Sequence, residues 1–153
     1  NDSLRGKRQS RMVNELLAKE KVEGYASERA YVGFQGVAEK AKDDLVKFLI
    51  DAKEEGKLVC AFGAAAKGNT FMNFAGIRPD LISAVADSNP AKQGKFMPGS
   101  RIPIVTEEIL ASYKPDYVVI LPWNLKEEIS SNLSYMRDWG CQFVVGIPNL
   151  EIL

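Results

Sequence analysis

A short loop near the middle of the chain combines the residue types that hold an anion through backbone and side-chain hydrogen bonds. It covers residues 63–70, after an apolar run and before a predicted helix. Free N–H groups and the dipole at the amino end of such a helix favour a phosphate, and glycines let the backbone turn and approach it closely. The loop residues that we expect to contact a phosphate-bearing ligand are Gly63, Ala65, Lys67, Gly68, Asn69 and Thr70.

The loop departs from the two common phosphate-binding motifs. Gly63 and Gly68 have the spacing of a Walker A loop, but Lys67 precedes the second glycine, whereas that motif places Lys-Ser/Thr after it. The third glycine of the dinucleotide-binding motif is also missing. Nucleotide hydrolysis is therefore not expected. A tight turn without a ligand is the alternative, because small residues also allow a helix and a strand to pack closely.

Three further residues follow predicted strands. Asp87 lies 24 positions after Gly63, where dinucleotide-binding folds carry an acidic residue that binds a ribose hydroxyl. A turn-forming Asp is an equally good interpretation. Trp123 and Asn124 follow the fourth predicted strand. The alternatives there are core packing for Trp123 and helix capping by Asn124 together with Glu127.

Alternating apolar runs and helical patterns predict the elements that position these residues. The predicted strands cover residues 58–62, 81–86, 102–105, 117–121 and 143–145. The predicted helices cover residues 13–23, 37–52, 71–74 and 125–138. A further predicted helix begins after Thr106, which caps it. Strands that alternate with helices favour βαβ units and a parallel sheet with right-handed crossovers.

We therefore predict an α/β fold with a Rossmann-like, doubly wound, mostly parallel five-stranded sheet in the order 3-2-1-4-5. Helices cover both faces, and two extra N-terminal helices pack outside the sheet. Residues 1–33 are predicted to form an N-terminal arm and a short helix, which together serve as a linker from a preceding domain. Residues 34–153 are predicted to form the Rossmann-like domain. The loops after strands one and four then flank the switch point of the sheet, so Lys67, Asp87, Trp123 and Asn124 are expected to converge.

Composition narrows the class of protein. Lys plus Arg and Asp plus Glu number 20 each, which disfavours a nucleic-acid binder. No apolar run approaches the ~20 residues of a membrane span, and the low cysteine content favours the cytoplasm. The absence of His excludes His-based acid–base and zinc chemistry from these residues. Cys60 and Cys141 would lie about 10 Å apart in this strand order, beyond the ~7 Å that a disulfide spans, so we predict two free thiols.

Several ordered motifs, over roughly residues 30–150, resemble the C-terminal domain of sugar C-methyltransferases. Those enzymes use S-adenosylmethionine to methylate a ring carbon of nucleotide-linked deoxysugars. The motifs are Gly63-Ala64-Ala65-Ala66-Lys67-Gly68-Asn69-Thr70, Asp87-Ser88-Asn89-Pro90-Ala91-Lys92-Gln93-Gly94-Lys95, Pro98-Gly99 with Ile102-Pro103-Ile104, Pro115-Asp116-Tyr117, and Leu121-Pro122-Trp123-Asn124 with Glu128-Ile129. Ser3-Leu4-Arg5 resembles the end of the methyltransferase region that precedes this domain in the family.

The resemblance implies a division of labour. The S-adenosylmethionine-binding domain comes earlier in such enzymes and the catalytic base lies outside this domain. This chain alone is therefore expected to bind no cofactor and to transfer no methyl group. It would hold the nucleotide sugar, with the loop around Lys67 at the phosphates. The residues expected along the rest of the crevice are Asp87, Asn89, Lys92, Trp123 and Asn124. The upstream methyltransferase domain is the expected partner, nucleic acid and membrane are not, and a homodimer is left open.

Two other functions remain open at this point. A dinucleotide- or coenzyme-A-binding domain would place Asp87 on a ribose and would bind NAD more tightly than nucleotide sugars. A non-catalytic docking module would have an empty crevice and a large exposed apolar patch. The Lys67→Ala change is expected to weaken phosphate binding in the two ligand-binding cases and to do little in the docking case.

Overall fold

The computed structural model of the chain describes residues 11–153, so most of the predicted N-terminal arm and the Ser3-Leu4-Arg5 motif lie outside the described residues. The chain forms two compact units, which divide between Ala38 and Glu39. In the first unit, α1 spans Arg11–Glu23 and has no buried side chain. A single 3-10 turn follows at Glu28–Ala30. The boundary after residue 33 stays a prediction.

One long helix begins in the first unit and continues into the second, and the helices that follow it are short. Helix α2 spans Phe34–Glu54 and buries Ala41, Leu45, Leu49 and Ala52, whose three- and four-residue spacing places them on one face. The remaining helices are α3 (Ala66–Phe74), α4 (Glu107–Ser112) and α5 (Lys126–Asn132), with 3-10 turns at Trp123–Leu125 and Ser134–Trp139. The predicted cap of α4 is confirmed, because the Thr106 hydroxyl accepts a hydrogen bond from the N–H of Ile109.

A mostly parallel sheet forms the centre of the second unit. Its strands are β1 (Val59–Phe62), β2 (Val85–Ala86), β3 (Ile104–Val105), β4 (Tyr117–Ile120), β5 (Gln142–Val145) and β6 (Glu151–Ile152). The order β3-β2-β1-β4-β5-β6 confirms the predicted order of the first five strands. The predicted count of five is wrong, because β6 adds an antiparallel edge strand beside β5.

Three predicted elements are shorter than expected, one of them the strand predicted over residues 102–105, which is reduced to Ile104–Val105. Residues 81–86 supply a strand of only two residues, since the N–H groups of Leu81 and Ile82 bond to the carbonyl of Arg78 in a turn. The helix predicted over residues 125–138 ends at Asn132 and continues as a 3-10 turn. A tighter last stretch of this kind is frequent at helix ends, and Gly140 closes it in the left-handed conformation.

Two layers of buried side chains lie on opposite faces of the sheet. Ala61 and Val119 pack with residues of α2 and α3, whereas Cys60 and Val118 pack with residues of α4 and α5. Neighbouring residues of a strand point to opposite faces, so the sheet is covered by helices on both sides, as predicted. Cys60 and Cys141 are free and buried, which confirms the predicted thiols. Among the described residues, no helix has the length and apolar content to cross a bilayer.

Candidate functional site

The connection from β1 to α3 turns at Gly63. Its φ of +92° lies in the left-handed region that favours glycine. A Cβ at this position would lie 2.4 Å from Cδ of Pro122. Pro122 follows Leu121, the first residue after β4. The turn therefore needs glycine for its backbone conformation and for its contact with the neighbouring strand.

Gly68 brings the first turn of α3 against the end of β4. A Cβ at Gly68 would lie 2.7 Å from Cβ of Leu121, closer than side chains pack without a shift. The alternative interpretation of this loop was close packing of a helix and a strand. That packing explains why glycine occupies both positions. Ligand contact by Gly63 and Gly68 stays a prediction.

The amino end of α3 has no capping side chain. Ala65 occupies the cap position and makes no side-chain hydrogen bond, and the first turn contains no acidic residue. The N–H groups of residues 66–68 are the ones that a helix leaves without a helical partner. Together with the helix dipole they favour an anion.

Lys92 ties the loop after β2 to the loop before α3. Its ammonium group lies 2.9 Å from Oδ2 of Asp87 and donates a second bond, also 2.9 Å, to the carbonyl of Ala64. Asp87 is only 7% exposed, and its Oδ1 accepts from the N–H of Asn89. The bond from the Asn89 N–H to the Asp87 carboxylate is the one expected of a turn-forming Asp. A contact between Asp87 and a ribose stays a prediction.

Two clefts open beside the amino end of α3 and share Ala65 and Lys92 in their walls. The first cleft has a volume of about 590 Å³ and the second about 480 Å³, within the ~300–1,000 Å³ of small-molecule sites. The first cleft is lined by Ala64, Ala65, Ala66, Asn69, Thr70, Ala91, Lys92, Lys95, Phe96, Met97, Pro98 and Ile104. The second is lined by Phe62, Gly63, Ala65, Asp87, Ser88, Asn89, Lys92, Glu107, Pro122, Leu125, Glu128, Ile129, Asn132 and Leu133.

The two clefts differ in charge. Lys92 and Lys95 are the ionisable residues of the first cleft, which contains no carboxylate. The second cleft contains Lys92 together with Asp87, Glu107 and Glu128. Tyr135 donates a hydrogen bond of 2.9 Å to Oε1 of Glu107. Burial and this contact with the carboxylate raise the pKa of Tyr135 to about 12, so the phenol keeps its proton.

Lys67, Trp123 and Asn124 form a separate group that lines neither cleft. The Lys67 ammonium donates to Oδ1 of Asn124 and lies 4.4 Å from the ring centroid of Trp123. Helix capping by Asn124 is not observed, because α5 begins at Lys126 with Leu125 as its cap and no capping side-chain bond. Trp123 is partly buried against the core on the α5 side.

Asn69 and Thr70 lie on α3 in the wall of the first cleft. The Thr70 hydroxyl donates to the carbonyl of Ala66 one turn earlier. The Asn69 amide oxygen is buried and has no hydrogen-bond partner among the described residues. A buried polar atom without a partner is uncommon in native proteins.

Several cleft residues were absent from the sequence-based prediction of the site, among them four with charged or aromatic side chains. Lys95 and Phe96 lie in the loop between β2 and β3, and Glu107 and Glu128 lie in the first turns of α4 and α5. The position of Glu107 directly after a parallel strand was a usable signal, since crevices open at the carboxyl ends of such strands. Within residues 11–153, no group of three acidic or Cys side chains is placed to hold a metal ion.

Comparison with known proteins identifies the family of the chain. The family model described as the C-methyltransferase C-terminal domain matches residues 2–148. The C-methyltransferase NovU of Streptomyces niveus is 35% identical over 141 residues, which cover 92% of this chain and 34% of that protein. The chain therefore spans about a third of the length of this curated relative. Taken together, these matches show that the chain belongs to the family of C-methyltransferase C-terminal domains.

Proposed function

We propose that this domain holds a nucleotide sugar by its diphosphate at the amino end of α3, for a methyl transfer carried out by another part of a longer C-methyltransferase. In this proposal S-adenosylmethionine supplies the methyl group and is bound upstream, outside this domain. The chain by itself then binds substrate but is inactive. A cytoplasmic location and an upstream methyltransferase domain as partner belong to the same proposal.

The observation that carries the proposal is the position of an uncapped helix end and a lysine between two clefts. Ala65 and Lys92 line both clefts, so an elongated ligand that occupies both would place its middle beside them. A nucleotide sugar has its two phosphates in the middle. That part of the ligand carries its negative charge, and the helix dipole and an ammonium group both favour it.

Lys92 is better placed for this role than Lys67. Two of its three N–H donors bond to Asp87 and Ala64, which fixes the ammonium group, and the third is available to a phosphate oxygen. Lys67 contacts Asn124 and Trp123 and lines neither cleft. We therefore expect the larger loss of phosphate binding from a change at Lys92.

The dinucleotide-binding alternative finds less support at Asp87. Its two carboxylate oxygens already accept from Asn89 and Lys92, and the residue is buried. A ribose hydroxyl would have to reach a carboxylate that is buried and already held by these two bonds. A docking module would bind none of these ligands, whereas the proposed function requires that a nucleotide sugar binds.

Isothermal titration calorimetry on this chain tests the proposal, with nucleoside diphosphates, nucleotide sugars and NAD as ligands. The Lys92→Gln change is expected to weaken nucleotide-sugar binding about tenfold, the size of one lost hydrogen bond to a charged group. Lys53→Gln is the matched control, because Lys53 also pairs with a carboxylate, that of Asp80, but lines neither cleft. A folded protein that binds none of these ligands at millimolar concentration would contradict the proposal.

A further inference from the structure

We infer that the ligand has one orientation across the two clefts, with the nucleoside in the first cleft and the sugar in the second. This inference rests on the proposed function and adds which part of the ligand each cleft recognises. It follows from three contrasts between the clefts: their charge, the presence of an exposed aromatic side chain, and their hydrogen-bonding groups.

Charge separates the phosphate-bearing side from the sugar side. The first cleft has Lys92 and Lys95 and no carboxylate, so every charged side chain near the phosphate attached to the nucleoside is positive there. The second cleft has three carboxylates, those of Asp87, Glu107 and Glu128. Like charges repel in a partly buried site, so the second cleft suits the uncharged end of the ligand.

Phe96 gives the first cleft an aromatic surface for a base. It is 64% exposed although it lies in a cleft wall, and nucleobases stack on exposed aromatic rings. The backbone around it is held in place. The N–H of Ile104 bonds to the carbonyl of Lys95, and the N–H of Met97 bonds to the carbonyl of Ile102. The ring is therefore carried by a fixed segment and loses little backbone freedom when a base stacks on it.

Asn69 adds a hydrogen-bonding group to the same wall. Its amide oxygen is buried and has no partner within the described part of the chain. Nucleobase edges carry N–H donors and carbonyl acceptors, and a primary amide can match both. A base N–H that reaches this amide oxygen would supply the missing donor.

The second cleft offers the groups that bind sugar hydroxyls. Glu107 and Glu128 accept hydrogen bonds, and Asn132 both donates and accepts. Tyr135 fixes the Glu107 carboxylate by its hydrogen bond. Because this cleft contains Gly63 and Pro122, it opens where β1 and β4 end, at the point where the strand order reverses and where ligands of such sheets bind.

Calorimetric titrations of the whole chain with three classes of probe separate the two clefts. The probes are inorganic pyrophosphate, uridine and thymidine diphosphates, and the glucose conjugates of those two nucleotides. The Phe96→Ala change is expected to weaken binding of the nucleoside diphosphates and of their glucose conjugates about tenfold, the effect of losing one base stack. Binding of pyrophosphate is expected to be unchanged. Phe74→Ala is the matched control, because Phe74 is also exposed but lines neither cleft.

A change in the second cleft gives the reciprocal test. Glu128→Gln keeps the shape of an exposed side chain but removes its charge. We expect it to weaken binding of the glucose conjugates about fivefold, while binding of the nucleoside diphosphates is not weakened. Thermal unfolding of each variant reports whether the fold is intact.

The outcomes distinguish this inference from the proposed function. If the natural chain binds nucleoside diphosphates but Phe96→Ala has no effect, or if Glu128→Gln weakens the diphosphates themselves, the orientation is wrong and the phosphate site stands. The orientation is also wrong if the nucleotides bind no more tightly than pyrophosphate. If the folded natural chain binds none of the probes, the proposed function itself fails.

Discussion

Replacing Gly63 by Ala should destabilise the second unit strongly, because two separate costs fall on one residue. The backbone of Gly63 is left-handed, with φ of +92°. The new methyl carbon would also lie 2.4 Å from Cδ and Cγ of Pro122. Pro122 is rigid and follows the end of β4, so it cannot move away without shifting the sheet. Gly76 has a left-handed φ of +67° and open space around its Cβ position, and therefore isolates the first cost.

The size of each cost follows from these two observations. A left-handed conformation costs an Ala residue about 1–2 kcal/mol, and a clash in a well-packed region costs about 1–3 kcal/mol more. Gly63→Ala should therefore lower the free energy of unfolding by about 2–5 kcal/mol, and Gly76→Ala by about 1–2 kcal/mol. The gain from a less flexible unfolded chain applies to both variants, so it cancels when they are compared.

Urea unfolding followed by circular dichroism measures the difference between the two variants. Gly68→Ala adds a third comparison, because its Cβ would meet Leu121 at 2.7 Å while its φ is not in the left-handed region. If Gly63→Ala and Gly76→Ala have the same unfolding free energy, the close contact between the loop and Pro122 plays no part in stability and the packing account of this turn is refuted.

Two further substitutions and one labelling experiment test other parts of the fold. Thr106→Ala removes the hydroxyl that caps α4 and should lower the free energy of unfolding by about 1 kcal/mol in the same urea assay. Burial raises the pKa of the Cys60 and Cys141 thiols to about 11, so a thiol reagent at about pH 8 should react quickly only after denaturant is added; rapid reaction of the native protein would contradict their burial. The N–H of Leu58 lowers the pKa of Asp116, so this carboxylate stabilises the fold above its unfolded pKa of about 3.9 and the gain is lost as pH falls through the lower folded value. Asp116→Asn should therefore flatten the decline of unfolding free energy between about pH 5 and 3, and an unchanged slope would count against this role.

The parallel part of the sheet could be predicted because each buried strand leaves a strong local pattern. The runs that became β1 and β4 are apolar and bounded by turn residues, and right-handed crossovers limit how such strands can be ordered. Strand β6 could not be predicted in the same way. It has two residues, one of them Glu151, and its pairing with β5 depends on a tertiary contact.

The contents of the site were only partly predictable, because sequence position does not determine the direction of a long side chain. Lys67 and Lys92 both lie in loops or first turns near the carboxyl ends of strands. The structure places Lys67 on Trp123 and Asn124 and places Lys92 between the clefts. That difference depends on the packing of β4 beside β1, which no local pattern records. Phe96 was missed because its loop has no periodic pattern.

Amide chemical shifts during a titration with pyrophosphate test most directly whether the amino end of α3 holds a diphosphate. Two-dimensional NMR of the 15N-labelled chain reports each backbone N–H separately. We predict that the largest shift changes occur at the N–H groups of residues 66–68 and around Lys92, and that Lys92→Gln reduces them. Saturating changes centred elsewhere, for example on the lysines of α2, or no changes at millimolar pyrophosphate, would contradict it.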